Sequence, residues 1–225
     1  MTTPLSTCWT IIRGAAIGVA ADRDEFARRY SPVIRAYLNS RWRNSVCLQH
    51  LDDTLQEVFL VCFQPNGVLN RAVRTEAGDF RTYLYGVVRN VALQLEDRLA
   101  RERSRRPVAE IRLDELAADD SSQAHVFDRA WATALLREAA ARQKERAGDE
   151  QARRRVELLR LRFHEALPIR EIARRWNVDP AMLHHEYAKA RQEYRTALRE
   201  VVAFHQPGDM AEMEAKCVEL LTLLG

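Results

Sequence analysis

Apolar residues recur at three- and four-residue intervals along most of the chain, and no long alternating pattern interrupts them. That periodicity predicts helices rather than strands. Phe26, Tyr30, Ile34, Tyr37 and Leu38 mark a first long helix, with Asp22 or Asp24 placed to cap it and Ser31-Pro32 predicting a kink or a fresh start inside it. Trp9, Ile12 and Ile17, ahead of it, are expected to pack on the same domain. Leu51, Leu55, Val58, Phe59 and Cys62 form one stripe of a helix over 51–63, and Asp52, Asp53, Gln56 and Glu57 fall on its other side. Pro65-Asn66-Gly67 ends that helix. A polar loop with Asn70, Arg71 and Arg74 follows, up to Gly78-Asp79. Phe80, Leu84, Val87, Val88 and Val91 then face the inside of a third helix, leaving Arg81, Tyr85, Arg89, Asn90 and Gln94 to face outward. This helix runs into an arginine-rich stretch, 98–106, stopped by Pro107.

Residues 107–127 lose the periodicity and contain the acidic break Asp119-Asp120-Ser121-Ser122-Gln123, which reads as an interdomain linker. Trp131, Leu135 and Leu136 open a second helical domain over 128–203. Within it, 142–155 reads as a solvated, charged segment or loop, and Val156, Leu159 and Phe163 begin the next helix. Ile169, Ile172, Ala173 and Trp176 sit at i, i+3, i+4 and i+7, one buried face of a short helix. Asn177-Val178-Asp179 makes a turn with Val178 plugging the corner, and Asp179-Pro180 is an N-cap followed by proline at the first helical position. Leu183, Tyr187, Ala190, Tyr194 and Leu198 continue as a second buried face. Together these residues spell a helix-turn-helix. The exposed side of its second helix offers Ala181, His184, His185, Ala188 and Lys189. In the extension 204–225, Asp209 and Glu212 have the spacing of a capping box. Met210, Met213, Cys217, Leu220, Leu221 and Leu224 then form an apolar stripe.

The expected architecture is therefore all-α. Two helical domains, 1–106 and 128–203, are joined by the linker 107–127 and followed by the short C-terminal helix of 204–225. Composition agrees, with few glycines (8) and prolines (7) for 225 residues. The net charge of +3 excludes a uniformly basic nucleic-acid coat, so any nucleic-acid footprint is a local patch. Of the 35 basic residues, 32 are arginine, which suits phosphate and base-edge contacts but equally reflects a coding bias. Cys8, Cys47, Cys62 and Cys217 form no CxxC pair and no zinc-type cluster with histidine, and Cys62 belongs to a core stripe. The adjacent His184 and His185 point about 100° apart on a helix and do not share an ion. No metal or cofactor is expected. No signal peptide and no apolar run of about 20 residues is present, so the chain reads as cytoplasmic, without membrane insertion.

On these motifs the chain resembles bacterial RNA polymerase sigma factors of the extracytoplasmic-function class. Asp52-Asp53-Thr-Leu-Gln56-Glu57-Val-Phe59-Leu60 is similar to the family's region-two helix, which docks on the polymerase clamp. Phe80-Arg81-Thr-Tyr83-Leu84 and Arg89-Asn90 resemble the Phe-Arg-x-Trp-Leu and Arg-Asn signatures of the helix facing the minus-10 element, with Tyr83 in place of tryptophan. Ile169-Arg-Glu171-Ile172-Ala173 and the helix after it resemble region four, which reads the minus-35 element. The likeness spans roughly 24–106 and 128–200.

The resemblance implies a transcription initiation subunit without catalytic residues, whose partners are core RNA polymerase, promoter DNA and, in some family members, an anti-sigma factor. Asp52, Asp53, Gln56 and Glu57 would bind polymerase. Asn66, Asn70, Arg71, Arg74, Arg81, Arg89 and Asn90 would serve the minus-10 element, the loop 65–79 capturing a flipped base. Ala181, His184, His185 and Lys189 would serve minus-35. The 98–106 stretch would track the DNA backbone, and a linker of about 20 residues reaches at most roughly 70 Å, about two turns of B-DNA. His184 and Glu186 stand where the family usually carries lysine or arginine. The extension reads either as a helix packed back on the second domain or as a built-in regulator. From the residues alone two other functions stay open: a stand-alone helix-turn-helix regulator whose first domain binds a ligand or protein, and an adaptor that binds protein and no DNA.

Overall fold

The structure, a computed structural model, describes residues 8–75, 80–104, 120–206 and 208–223. Regular structure among these residues is entirely helical, so the fold is all-α. The chain divides into two compact units, Met1–Ala134 with Leu220–Gly225, and Leu135–Glu219.

The first unit contains α1 (Cys8–Ile17), α2 (Ala20–Arg41), a 3-10 turn (Val46–His50), α3 (Leu51–Phe63), α4 (Val68–Thr75), α5 (Phe80–Ser104) and the first part of α6 (Asp120–Arg146). Its core is built from the stripes that the sequence marks: Phe26, Ile34, Tyr37 and Leu38 of α2, Val58 and Cys62 of α3, and Leu84 and Val88 of α5 are all buried. Full burial of each such side chain contributes about 1.5–3 kcal/mol. Phe26 lies edge-on to both Phe63 and Phe80, with ring centroids 5.6 and 6.0 Å away. Burial pushes the Cys62 thiol up to about 12, so this cysteine is packing material rather than a nucleophile. Helix α1 packs as expected through buried Ile12 and through Trp9, edge-on to Phe80 at 5.8 Å, whereas Ile17 is exposed at the helix end.

Helix α2 runs unbroken through Pro32. Proline removes the N–H that would reach back to Arg28, and the Ser31 hydroxyl beside it donates to the Ala27 carbonyl at 2.5 Å. The helix begins at Ala20 without a side-chain cap, so Asp22 lies in its first turn, where it complements the helix dipole. Its far end is fixed by an ionic clamp. Arg41 donates through Nε and Nη2 to the two Glu96 carboxylate oxygens of α5, at 2.7 and 2.9 Å, and Trp42 Nε1 donates to Glu96 Oε1 at 2.7 Å. Arg41 and Glu96 are only 10% and 13% exposed, which puts this bidentate pair in a low-dielectric setting. Tyr37, beside Arg41, is pushed up to about 12 by burial.

The second unit contains the remainder of α6 with α7 (Glu150–Phe163), α8 (Ile169–Trp176), α9 (Pro180–His205) and most of α10 (Met210–Thr222). Leu158, Leu161, Ile169, Ile172, Ala173 and Leu183 form its compact core, with Leu167, Trp176, Val178 and Tyr187 packed around it. The later part of α6 is tied to α9: Gln143 Nε2 donates to the Ala190 carbonyl at 3.1 Å and Tyr194 donates to the Leu136 carbonyl at 3.1 Å. The capping box of α10 forms both of its bonds, Glu212 N to Asp209 Oδ1 at 2.9 Å and Asp209 N to Glu212 Oε2 at 3.1 Å. Arg199 of α9 donates twice to Glu214, at 2.9 and 2.8 Å, and Cys217 is buried. The α10 stripe is thus only partly covered, since Met210 and Leu221 are exposed.

Three sequence expectations are corrected. The loop expected over 65–79 is helical from Val68 to Thr75, because Val68, Leu69 and Ala72 bury one side of α4. The charged stretch 142–155 is helix on both sides of a short link at 147–149, and Gln143 within it is buried. In the expected linker, residues 105–119 lie outside the described residues, but 120–127 belong to α6. Phe127 is fully buried there, 6.0 Å from the Tyr37 ring and 5.4 Å from that of Tyr85. The boundary between the units consequently falls after Ala134 instead of before Asp128.

Candidate functional site

Helix α3 buries Leu51, Leu55, Val58 and Cys62, and that choice of face sends Asp52, Asp53, Gln56 and Glu57 to the solvent. Asp52 is partly engaged, 2.6 Å from Arg35 of α2. Asp53, Gln56 and Glu57 share a surface with Leu60, which is 60% exposed. Leu60 follows Asp53, Gln56 and Glu57 at i+7, i+4 and i+3, so a helical wheel places it on the acidic face. An apolar contact flanked on one side by carboxylates suits a protein partner with basic groups, since phosphate would be repelled.

The turn after α3 leads into the second cluster. Asn66 adopts φ +55°, a left-handed conformation that asparagine tolerates, and is exposed. At Gly67 a Cβ would lie 2.6 Å from the Gln64 carbonyl oxygen, so the turn admits no side chain there. Of the residues expected in the loop, Arg71 is exposed on α4 and Asn70 is half-buried. Arg74 belongs to α4, with its side chain outside the described residues, as are 76–79. Tyr83 of α5 donates to the Val68 carbonyl at 2.8 Å, joining α5 to the start of α4.

Helix α5 does not present its polar side as one open surface. Asn90 and Gln94 are exposed, and Arg98, Arg101 and Arg103 are exposed further along. Arg81, Tyr85 and Arg89, spaced four residues apart on one stripe, are half-buried. Arg81 lies 3.5 Å from Asp128 of α6, and Tyr85 packs against Phe127 instead of facing outward. The sequence hides this because the covering residues stand about 45 positions downstream, in a stretch without clear periodicity.

The third cluster is the helix-turn-helix. Asn177, at φ +49°, closes α8 in the left-handed conformation, and Val178 N bonds back to the Ala173 carbonyl at 3.0 Å. Asp179 then caps α9 by accepting from Ala181 N at 3.0 Å, with Pro180 at the first position. This cap leaves Ala181, His184, His185 and Lys189 exposed at the start of α9, together with Met182, which the sequence reading missed. Glu186 turns the other way. It is 15% exposed, 3.2 Å from Arg155 of α7 and 3.4 Å from Lys189. Burial by itself raises the Glu186 carboxyl, but the Arg155 guanidinium and the Lys189 ammonium hold it below its usual value. The acidic residue of the helix is thereby neutralised within the protein and does not oppose a phosphate backbone. Replacing Asp179 with alanine is expected to cost about 1 kcal/mol. The melting midpoint should then fall by roughly 2–4 °C, and calorimetry of the two chains tests it.

Among the described residues no helix is long and apolar enough to cross a membrane. The four cysteines are buried, and none of them is in a disulfide among the described residues. Comparison of the chain with known protein families, with curated proteins and with solved structures finds no match.

Proposed function

We propose that this protein is a sigma factor of the extracytoplasmic-function type, a cytoplasmic subunit that binds core RNA polymerase and directs promoter recognition, melting and initiation. The observation that carries the reading is the presence, in one chain, of two different solvent faces. One is acidic and protein-seeking, on α3, with exposed Leu60 at its C-terminal end. The other is the start of a capped second helix of a helix-turn-helix, whose one acidic residue beyond the cap in its first three turns, Glu186, is paired with Arg155. An anion is favoured at the N-terminal end of α9, where the helix dipole and exposed His184, His185 and Lys189 meet. The sequence signatures at 80–90 supply the minus-10 assignment, and the arginines of late α5 supply a backbone track.

The test is binding of the purified chain to core polymerase, followed by run-off transcription from a library of promoter fragments. Stable association and promoter-dependent transcripts are expected; a chain that does not associate with core polymerase sinks the reading. A helix-turn-helix regulator with a protein-binding first unit is the second reading, favoured by the engagement of Arg81 with Asp128. It predicts specific duplex binding with no polymerase present.

A further inference from the structure

We propose that the first part of α6 is a displaceable cover on the nucleic-acid face of the first unit, and that the described form of that unit is its closed state. This rests on the reading of α5 as the single-strand-binding helix.

Arginines combined with aromatic rings form the usual platform for unstacked bases, with cations along the backbone and rings beneath the base planes. Arg81 and Tyr85 on α5, with Tyr30 on α2, provide those groups, and α6 engages each of them. Asp128 occupies the Arg81 guanidinium at 3.5 Å, where a phosphate would otherwise sit. Phe127 lies 5.4 Å from the Tyr85 ring. Trp131 stacks on Tyr30 at 5.4 Å, with an interplanar angle of 18°. The cover thus supplies a carboxylate to the cation, a stacked ring to Tyr30 and a ring tilted at 59° to Tyr85, contacts of the kinds that a single strand would offer. A strand and α6 compete for the same groups.

The seat also has a flaw. Gln123, one turn ahead of Phe127, is 5% exposed, and its Oε1 has no hydrogen-bond partner among the described residues. Burying an unpaired amide oxygen weakens the closed arrangement relative to an open one, in which water satisfies it. The apparent affinity of the unit for a strand then equals the intrinsic affinity multiplied by the fraction of molecules that are open.

The test measures binding of the full-length chain to a fluorescein-labelled, mixed-sequence DNA single strand of about 20 nucleotides at low salt, by anisotropy. Asp128→Ala should tighten binding about threefold, and Asp128→Ala with Trp131→Ala at least tenfold, as the open fraction grows. Adding Arg81→Ala to the double variant should remove most of the gain. Circular dichroism checks folding; if the double variant loses helix, Asp128→Ala decides alone, because that pair is partly exposed and its loss leaves the aromatic seat in place. Unchanged or weaker binding in a folded Asp128→Ala chain overturns the cover, as does a gain that survives Arg81→Ala. Core-polymerase binding is measured on the same samples. Polymerase association without tightening by the variants leaves the initiation role standing and removes the cover. Tightening in a chain that ignores polymerase keeps the cover and removes that role.

Discussion

Replacing Glu96 with alanine should unfold the first unit at a much lower temperature than the intact chain, with a loss of about 3–5 kcal/mol. The carboxylate accepts from two guanidinium nitrogens of Arg41 and from the indole of Trp42, and it bridges the end of α2 to the middle of α5. Truncating it leaves Arg41, 10% exposed, as an uncompensated charge, and leaves a fully buried indole N–H without its acceptor. The cost therefore exceeds that of a surface ion pair, about 0–1 kcal/mol. For a chain of this length the unfolding midpoint should drop by on the order of 10 °C. Glu96→Gln keeps an acceptor for Trp42 and should fall between the two. A midpoint change of only about 2 °C would show that Arg41 finds water instead, and that the clamp is not a main fastening of α2 to α5.

Reversing two charges on α3, Asp53→Arg with Glu57→Arg, should weaken association with core polymerase about 100-fold while leaving the melting temperature nearly unchanged. Both side chains are exposed, so the folded chain tolerates the change. Like charges placed against a basic partner surface cost several kcal/mol, and the loss should shrink as salt screens it. Asp52 is left out of the pair because its contact with Arg35 ties α3 to α2, and reversing it would mix a stability effect into a binding measurement. Unaltered affinity in a chain that otherwise binds polymerase would move the docking surface off α3.

The helices were legible wherever a buried stripe repeats over several turns. Leu51, Leu55, Val58 and Cys62 determine how α3 lies, and with it the exposure of Asp53, Gln56 and Glu57, because a helix that buries one side must show the other. The turn of the helix-turn-helix was equally readable, since Asn177, Asp179 and Pro180 each satisfy a local backbone requirement that depends on no distant residue. The errors share a different cause. In α4 the buried set is only Val68, Leu69 and Ala72, too short a run to outweigh Asn70 and Arg71 between them. In early α6 the burial of Phe127 and Trp131 is set by rings 90 and 101 positions earlier, which no local period reports. The same blindness hid the engagement of Arg81, and it left Glu186 looking like an exposed charge on the second helix of the helix-turn-helix when Arg155 pairs with it.

The late position of those rings has a consequence for how the protein comes into being. Phe127 lies 90 positions after Tyr37 (127 − 37), the ring it packs against. At roughly 5–20 residues per second of synthesis, the ribosome adds the covering residues on the order of 5 to 20 s after the tyrosine they shield. Once α5 is complete at Ser104, synthesis needs about 1–5 s more to reach Phe127, 23 residues on (127 − 104), and for that time the aromatic face of α2 and α5 stands bare. A chaperone that reaches the nascent protein in that interval meets a surface that α6 covers in the finished molecule.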